Sequence, residues 1–246
     1  MSMRDLPVVV NTGADFWKAT GLIAGARAYG NRNHQFGSYM SRGAAGDLRT
    51  LIMGAWGELA FWIAAERSGI TCTPPVLVSL SAPPKDIDFH GQEDGQRYGL
   101  EVKAWATTRT DGSPASRVNI NIAGHARSIK RGGTHYVWVL GAPGGSASVI
   151  ASPMPHSEVE TWRTETGRYN DPMYHAPLSE LAPRILAGRS FPALSTYLAS
   201  TTGDADSRLL DAHAWRERAP ELIPQIMEAL DPTSANRTLA NLNQVR

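Results

Sequence analysis

Cysteine is nearly absent: the 246 residues hold one, Cys72, which excludes an internal disulfide framework and a thiolate zinc site. Charge is also sparse, at 19%, and almost balanced, since 24 Lys and Arg face 23 Asp and Glu for a net +1. That balance gives no whole-chain signal for a polyanion or a membrane surface. Long apolar runs are missing too. The uncharged stretch 68–84 carries four prolines and many hydroxyls, so no membrane span is expected. The apolar segment 6–10 is too short for a signal core and is interrupted by Pro7, so a cytoplasmic setting is expected. No Walker loop, GxGxxG, HExxH or nucleophilic triad occurs. What is present is ordinary globular material: 42% hydrophobic residues and 23 glycines, enough to build a core.

The neutral total hides an asymmetry. Residues 1–152 hold 15 basic and 11 acidic side chains, whereas 153–246 hold 9 and 12. Between 103 and 131, six cations (Lys103, Arg109, Arg117, Arg127, Lys130 and Arg131) face the single acid Asp111, so a polyanion would meet that stretch first. A solvated surface explains the same charge equally well.

Periodicity predicts a helix over 47–68. Asp47 serves as N-cap, Leu48, Leu51, Ile52, Trp56, Leu59 and Ile63 recur at helical spacing, and Gly69 is the stop. Extended segments follow at 76–80, 85–90 and 98–105, then a loop at 107–116. Val118, Ile120 and Ile122 alternate as a short strand, 123–131 reads as a basic helix, 135–140 as a buried strand, and 146–152 as an edge strand. A further helix is expected over 14–28. Helical stretches are expected near 178–186 and 213–230, the latter broken by Pro220 and Pro224. The organisation expected is a helical extension over 1–46, a core over 47–152, and a helical or irregular extension over 153–246 serving specificity or dimerisation.

The informative stretch is 85–103. Asp94-Gly95 between two alternating segments is a hairpin signal, because both turn positions favour positive φ. A two-residue loop makes paired positions sum to 189. Phe89 then faces Leu100, Asp88 faces Glu101, Ile87 faces Val102 and Asp86 faces Lys103. One face is apolar and the other carries Asp88 beside Glu101 and Asp86 beside Lys103. Opposed like charges on neighbouring strands are destabilising, and two carboxylates so placed call for a cation between them. Oxygen ligands alone suit Mg²⁺ or Mn²⁺. A solvated acidic hairpin face explains Asp86 and Lys103 well, and Asp88 against Glu101 less well.

Asp88, followed after a hairpin by Glu101-Val102-Lys103, resembles the PD-(D/E)xK nuclease superfamily, which includes many restriction endonucleases and archaeal-type Holliday junction resolvases. Gly57-Glu58-Leu59-Ala60 on the preceding helix resembles the Gly-Glu helix motif of many members. No proline directly precedes the key aspartate, and Asp86 is an alternative ligand. The resemblance implies an α/β fold: a restriction-endonuclease-like αβββαβ core with a mixed central sheet, extended at both ends by mainly helical segments. It implies a Mg²⁺-dependent endonuclease acting on double-stranded DNA, with Mn²⁺ substituting, as a homodimer with no membrane partner. A type II restriction or defence enzyme is the first expectation. A structure-selective resolvase-like nuclease or a catalytically silent binding module of the same fold are the alternatives.

The implied roles are specific. Asp88, Glu101, Lys103 and Glu58 form the catalytic set, with Asp88, Glu101 and the Val102 carbonyl holding metal, Glu58 holding it directly or through water, and Lys103 orienting water. For Glu58 a solvent-exposed helix position is the competing reading. DNA contacts are expected from Arg109, Arg117, Asn119, Asn121, Arg127, Lys130 and Arg131, because Arg and Asn read guanine and adenine edges and cations meet phosphates. A solvated edge strand and ordinary helix-dipole complements account for the same residues.

Overall fold

The computed structural model describes residues 8–11, positions within 16–27, 44–67, 87–107 apart from Asp94, 113–141, 147–167, 170–181 and 208–210. The protein is a mixed α/β structure. Its strands in chain order are β1 (Val8–Asn11), β2 (Phe89–Glu93), β3 (Gln96–Ala106), β4 (Arg117–Asn121), β5 (His135–Gly141), β6 (Ala147–Ile150), β7 (Met154–Pro155), β8 (Arg163–Thr166), β9 (Pro172–Pro177) and β10 (Arg208–Leu210). The helices are α1 (helical positions within 16–27), α2 (Ala44–Arg67), α3 (Ile122–Lys130) and α4 (His156–Val159). None of the described helices is long and apolar enough to cross a membrane.

The main sheet runs β10-β1-β6-β5-β3-β2, with β7 also beside β5. β3 and β5 are parallel, Glu101 lying level with Tyr136 and Lys103 with Trp138, and α3 lies on the crossover between them. β2–β3, β5–β6 and β1–β6 are antiparallel, whereas β1–β10 is parallel. A second, antiparallel sheet runs β4-β9-β8.

Alternation along β5 divides the interior. Val137 and Val139 join Leu100, Val102, Phe89 and Ile150 beneath α2 and α1. Tyr136, Trp138 and Leu140 point the other way and pack with Val118, Ile120, Ala176, Val159 and Leu178 of the second sheet and its flanks. α2 is therefore sandwiched: from Ala55 to Ala65 every residue is buried except Glu58. Trp56 reaches through this layer to donate its indole N–H to Ser148 on β6 at 2.8 Å.

The helix expected over 47–68 and the strand expected over 135–140 lie close to where the sequence places them. The hairpin register is the expected one, from Phe89 opposite Leu100 to Glu93 opposite Gln96. Gly95 in its turn has φ of 78°, the left-handed region that glycine enters without strain. Other segments differ from expectation. Residues 146–152 form no edge: β6 is interior, between β5 and β1. The segments expected to be mainly helical extensions supply strands, β1 and β10 to the main sheet and β8 and β9 to the second. Only a 3₁₀ turn, Leu178–Leu181, forms within the helix expected near 178–186 as far as residue 181. The segment 76–80, which would be the first strand of an αβββαβ core, and the helix expected near 213–230 lie outside the described residues.

Candidate metal centre

The β2–β3 ladder stops at Phe89–Leu100, so Asp88 and Ile87 do not continue it as strand pairs. The reason is local. Asp88 lies in a bend, and its Oδ2 accepts the backbone N–H of Val102 at 2.7 Å, taking the place a backbone carbonyl would occupy. In a strand the N–H and C=O of one residue point to the same side, so the Val102 carbonyl also faces the side from which Asp88 approaches.

Glu101 stands one residue earlier on β3, on the opposite face from Val102. Both of its oxygens are held: Lys103 Nζ donates to Oε1 at 3.1 Å, and the buried Ser128 hydroxyl on α3 donates to Oε2 at 3.2 Å. Lys103, two residues along the same face, also lies over the Tyr136 ring, 5.4 Å from its centroid. The sequence pairs Lys103 with Asp86. In the structure its carboxylate partner is Glu101, and Asp86 lies outside the described residues.

Burial, then the charges of Glu58 and Glu101, push the Asp88 carboxyl well above the ordinary carboxylate range; Lys103 and the Val102 N–H pull it back. Three carboxylates and one ammonium from α2, the end of β2 and β3 thus act on one point. Glu58 does not extend into solvent, its side chain being 13% exposed. Arg27 of α1 binds it with both guanidinium arms, Nη1 to Oε1 at 2.9 Å and Nη2 to Oε2 at 2.5 Å. Neither Arg27 nor Ser128 carries a local sequence signal, since each meets its carboxylate across 31 and 27 residues of chain respectively.

Among the described residues no three His, Cys, Asp or Glu side chains stand together as a set of metal ligands. The donor set fits a hard divalent ion held by two carboxylates, Asp88 and Glu101. Mg²⁺ characteristically uses one or two carboxylates and keeps several waters. The mutual repulsion registered at Asp88 is the unfavourable charge such an ion would relieve.

The residues expected to meet DNA are dispersed. Arg127, Lys130 and Arg131 are exposed at the C-terminal end of α3, the helix whose Ser128 touches Glu101. Arg117 is exposed on β4 and pairs with Glu165 of β8 at 3.4 Å. Asn119 is partly buried opposite His175. Asn121 caps α3, its Oδ1 accepting the Gly124 N–H at 2.8 Å, so that oxygen serves the helix start. Arg109 lies outside the described residues.

A second polar cluster surrounds Tyr136, level with Glu101 on β5. His125 Nδ1 is 2.9 Å from the Tyr136 hydroxyl, and its Nε2 is 3.1 Å from Glu160 Oε1. Burial, then the charge of Glu101, raises the Tyr136 phenol. His156 stacks near Tyr136 with ring centroids 4.3 Å apart. Set against known proteins, the chain matches no family model and no curated sequence at significant similarity.

Proposed function

We propose that the protein is a metal-dependent DNA endonuclease with a restriction-endonuclease-like core, hydrolysing phosphodiester bonds. The observation carrying this reading is the convergence of Asp88, Glu101 and Lys103 at the end of the β2–β3 hairpin, with the charge of Glu58 felt at Asp88. A purely structural hairpin has no use for carboxylates whose mutual repulsion and burial hold one of them protonated more readily than usual. The helix, hairpin and parallel β3-α3-β5 crossover further support the resemblance of the core.

In this reading Asp88 and Glu101 hold the ion, aided by the Val102 carbonyl, with Glu58 behind them. A divalent ion held there supplies a water acidic enough to be deprotonated near neutral pH and neutralises charge on the phosphate. Lys103 orients that water and donates to a non-bridging phosphate oxygen. The water oxygen would bond to phosphorus as the phosphorus–oxygen bond to the leaving alkoxide breaks, with the water's proton passing to solvent and the alkoxide taking one up from solvent. Ser128 and Lys103 fix both Glu101 oxygens, which limits the reorganisation the site needs. Arg127, Lys130 and Arg131, exposed at the end of α3, serve in this reading as phosphate contacts. A cytoplasmic restriction or defence enzyme acting as a homodimer on double-stranded DNA fits best, since cutting both strands suits two-fold symmetry.

The test is to incubate unmethylated and methylated plasmid with the protein in Mg²⁺, in Mn²⁺ or in EDTA, then sequence the ends. Metal-dependent cutting at fixed sites is expected, with Glu101→Ala and Lys103→Ala each slowed by roughly a hundred- to a thousandfold while still binding DNA. Cutting confined to branched junctions would make the substrate a recombination intermediate. Binding that persists in EDTA with no cleavage in either metal identifies a silent module and ends the proposal.

A further inference from the structure

Glu58 is the one acidic side chain in an otherwise buried run of α2, and its side chain is only 13% exposed. A polar side chain in such a setting needs a partner for its oxygens. Arg27 supplies one in a particular way. Its planar fork takes both oxygens at once, and its guanidinium lies along α2 over Gly54, whose position would bring a Cβ to 3.8 Å of Nη1. With both oxygens engaged by Arg27, Glu58 does not stand with Asp88 and Glu101 as a set of three close ligands among the described residues.

We propose that Arg27 is a positioning residue of the metal centre. By clasping both oxygens of Glu58 it restricts that carboxylate to contact with the ion through a bound water. This rests on the metal-dependent reading above and assigns a role to the N-terminal helix, which the sequence treats as an extension. A lysine cannot reproduce it, because an ammonium is a point charge without the fork that spans two oxygens.

The experiment uses Mn²⁺ as probe, with its affinity measured by titration calorimetry and its bound waters counted by water-proton relaxation, on full-length protein. Thermal melts in metal-free buffer first establish that each variant is folded. Arg27→Met should free Glu58 to coordinate directly, so that Mn²⁺ binds several-fold more tightly and the bound ion loses about one water. Adding Glu58→Gln to Arg27→Met should return both values to near those of the wild type. If Arg27→Met does not fold, Arg27→Lys serves: holding a single oxygen, it should also lower the bound-water count. Unchanged affinity and hydration, or weaker binding, in a folded Arg27 variant overturns this assignment alone. Failure of the wild type to bind Mn²⁺ at all removes the metal-dependent reading itself.

Discussion

Acidification should weaken the fold through His156, by about 3 kcal/mol between neutral pH and pH 4. The residue is 5% exposed, and neither ring nitrogen has a hydrogen-bond partner among the described residues. The ring lies 4.3 Å from that of Tyr136 and 5.0 Å from that of His125, while its backbone N–H is tied to the Thr134 carbonyl. Burial, followed by the charge of His125, pushes its pKa down to about 4; Glu101 opposes this, and His135 and Lys103 add to it. In the unfolded chain the ordinary value, about 6.5, returns. Between those two values the unfolded chain binds more protons than the folded one. Stability is therefore complete above about pH 6.5 and is lost as pH falls towards 4. The gap corresponds to roughly 3 kcal/mol. Asp88 acts in the opposite sense, since its raised pKa lets the folded state take up a proton more readily in acid. The two are separated by comparing the wild type with His156→Leu. Urea unfolding followed by tryptophan fluorescence at pH 7.5, 6, 5 and 4 gives both profiles. The variant should be the less stable protein at pH 7.5 or close to equal, and should gain about 3 kcal/mol on the wild type by pH 4. Parallel profiles would refute the reasoning, because they would mean that His156 protonates in the folded protein as easily as in the unfolded one.

Three further outcomes follow from close contacts. Gly99→Ala should cost about 3 kcal/mol or more, because a Cβ there would stand 2.0 Å from the Gly132 carbonyl oxygen, a backbone atom; a urea midpoint near that of the wild type would contradict it. Gly57→Ala should cost about 1–3 kcal/mol, since its Cβ would meet that of Ala104 at 2.8 Å where α2 crosses β3, and Ala104→Gly in the same chain should recover part of the loss in melting temperature. Asn121→Ala should cost about 1 kcal/mol by uncapping α3, with the loss visible in thermal melts and absent in Asn121→Ser, which caps equally well.

The hairpin register was readable because two local signals agree. The Asp94-Gly95 turn sets the phase, and the apolar alternation of Phe89, Leu100 and Val102 excludes a slip by one residue, which would expose the core face. α2 was readable for a similar reason, since a helical period is a property of adjacent residues; the helix begins at Ala44, however, which sets the expected cap Asp47 inside it. The second sheet was not. Its strand β8, Arg-Thr-Glu-Thr, has no apolar alternation, and exists because β9 offers it a ladder. β4 meets β9 across more than 50 residues, so the alternation of Val118 and Ile120 announced a strand but not its partner. β1 and β10 are likewise defined by long-range pairing, and β6 looks like an edge until β1 is placed beside it.

The candidate site shows the same division in sharper form. The types and spacing of Asp88, Glu101 and Lys103 are local, so their presence on one hairpin could be read directly from the sequence. How they are held could not. The register argument carried the ladder past Phe89 and set Asp88 opposite Glu101 as a neighbouring pair. Two ionised carboxylates at that spacing repel, and an aspartate side chain is short enough to turn back and accept a backbone N–H instead. The strand ends there, Asp88 caps Val102, and Glu101 turns to Lys103 and Ser128. The charge conflict that made the pair conspicuous in the sequence is thus the physical reason the ladder stops. That early stop sets Asp88 apart from the strand pairing and within electrostatic reach of Glu58 on the helix above.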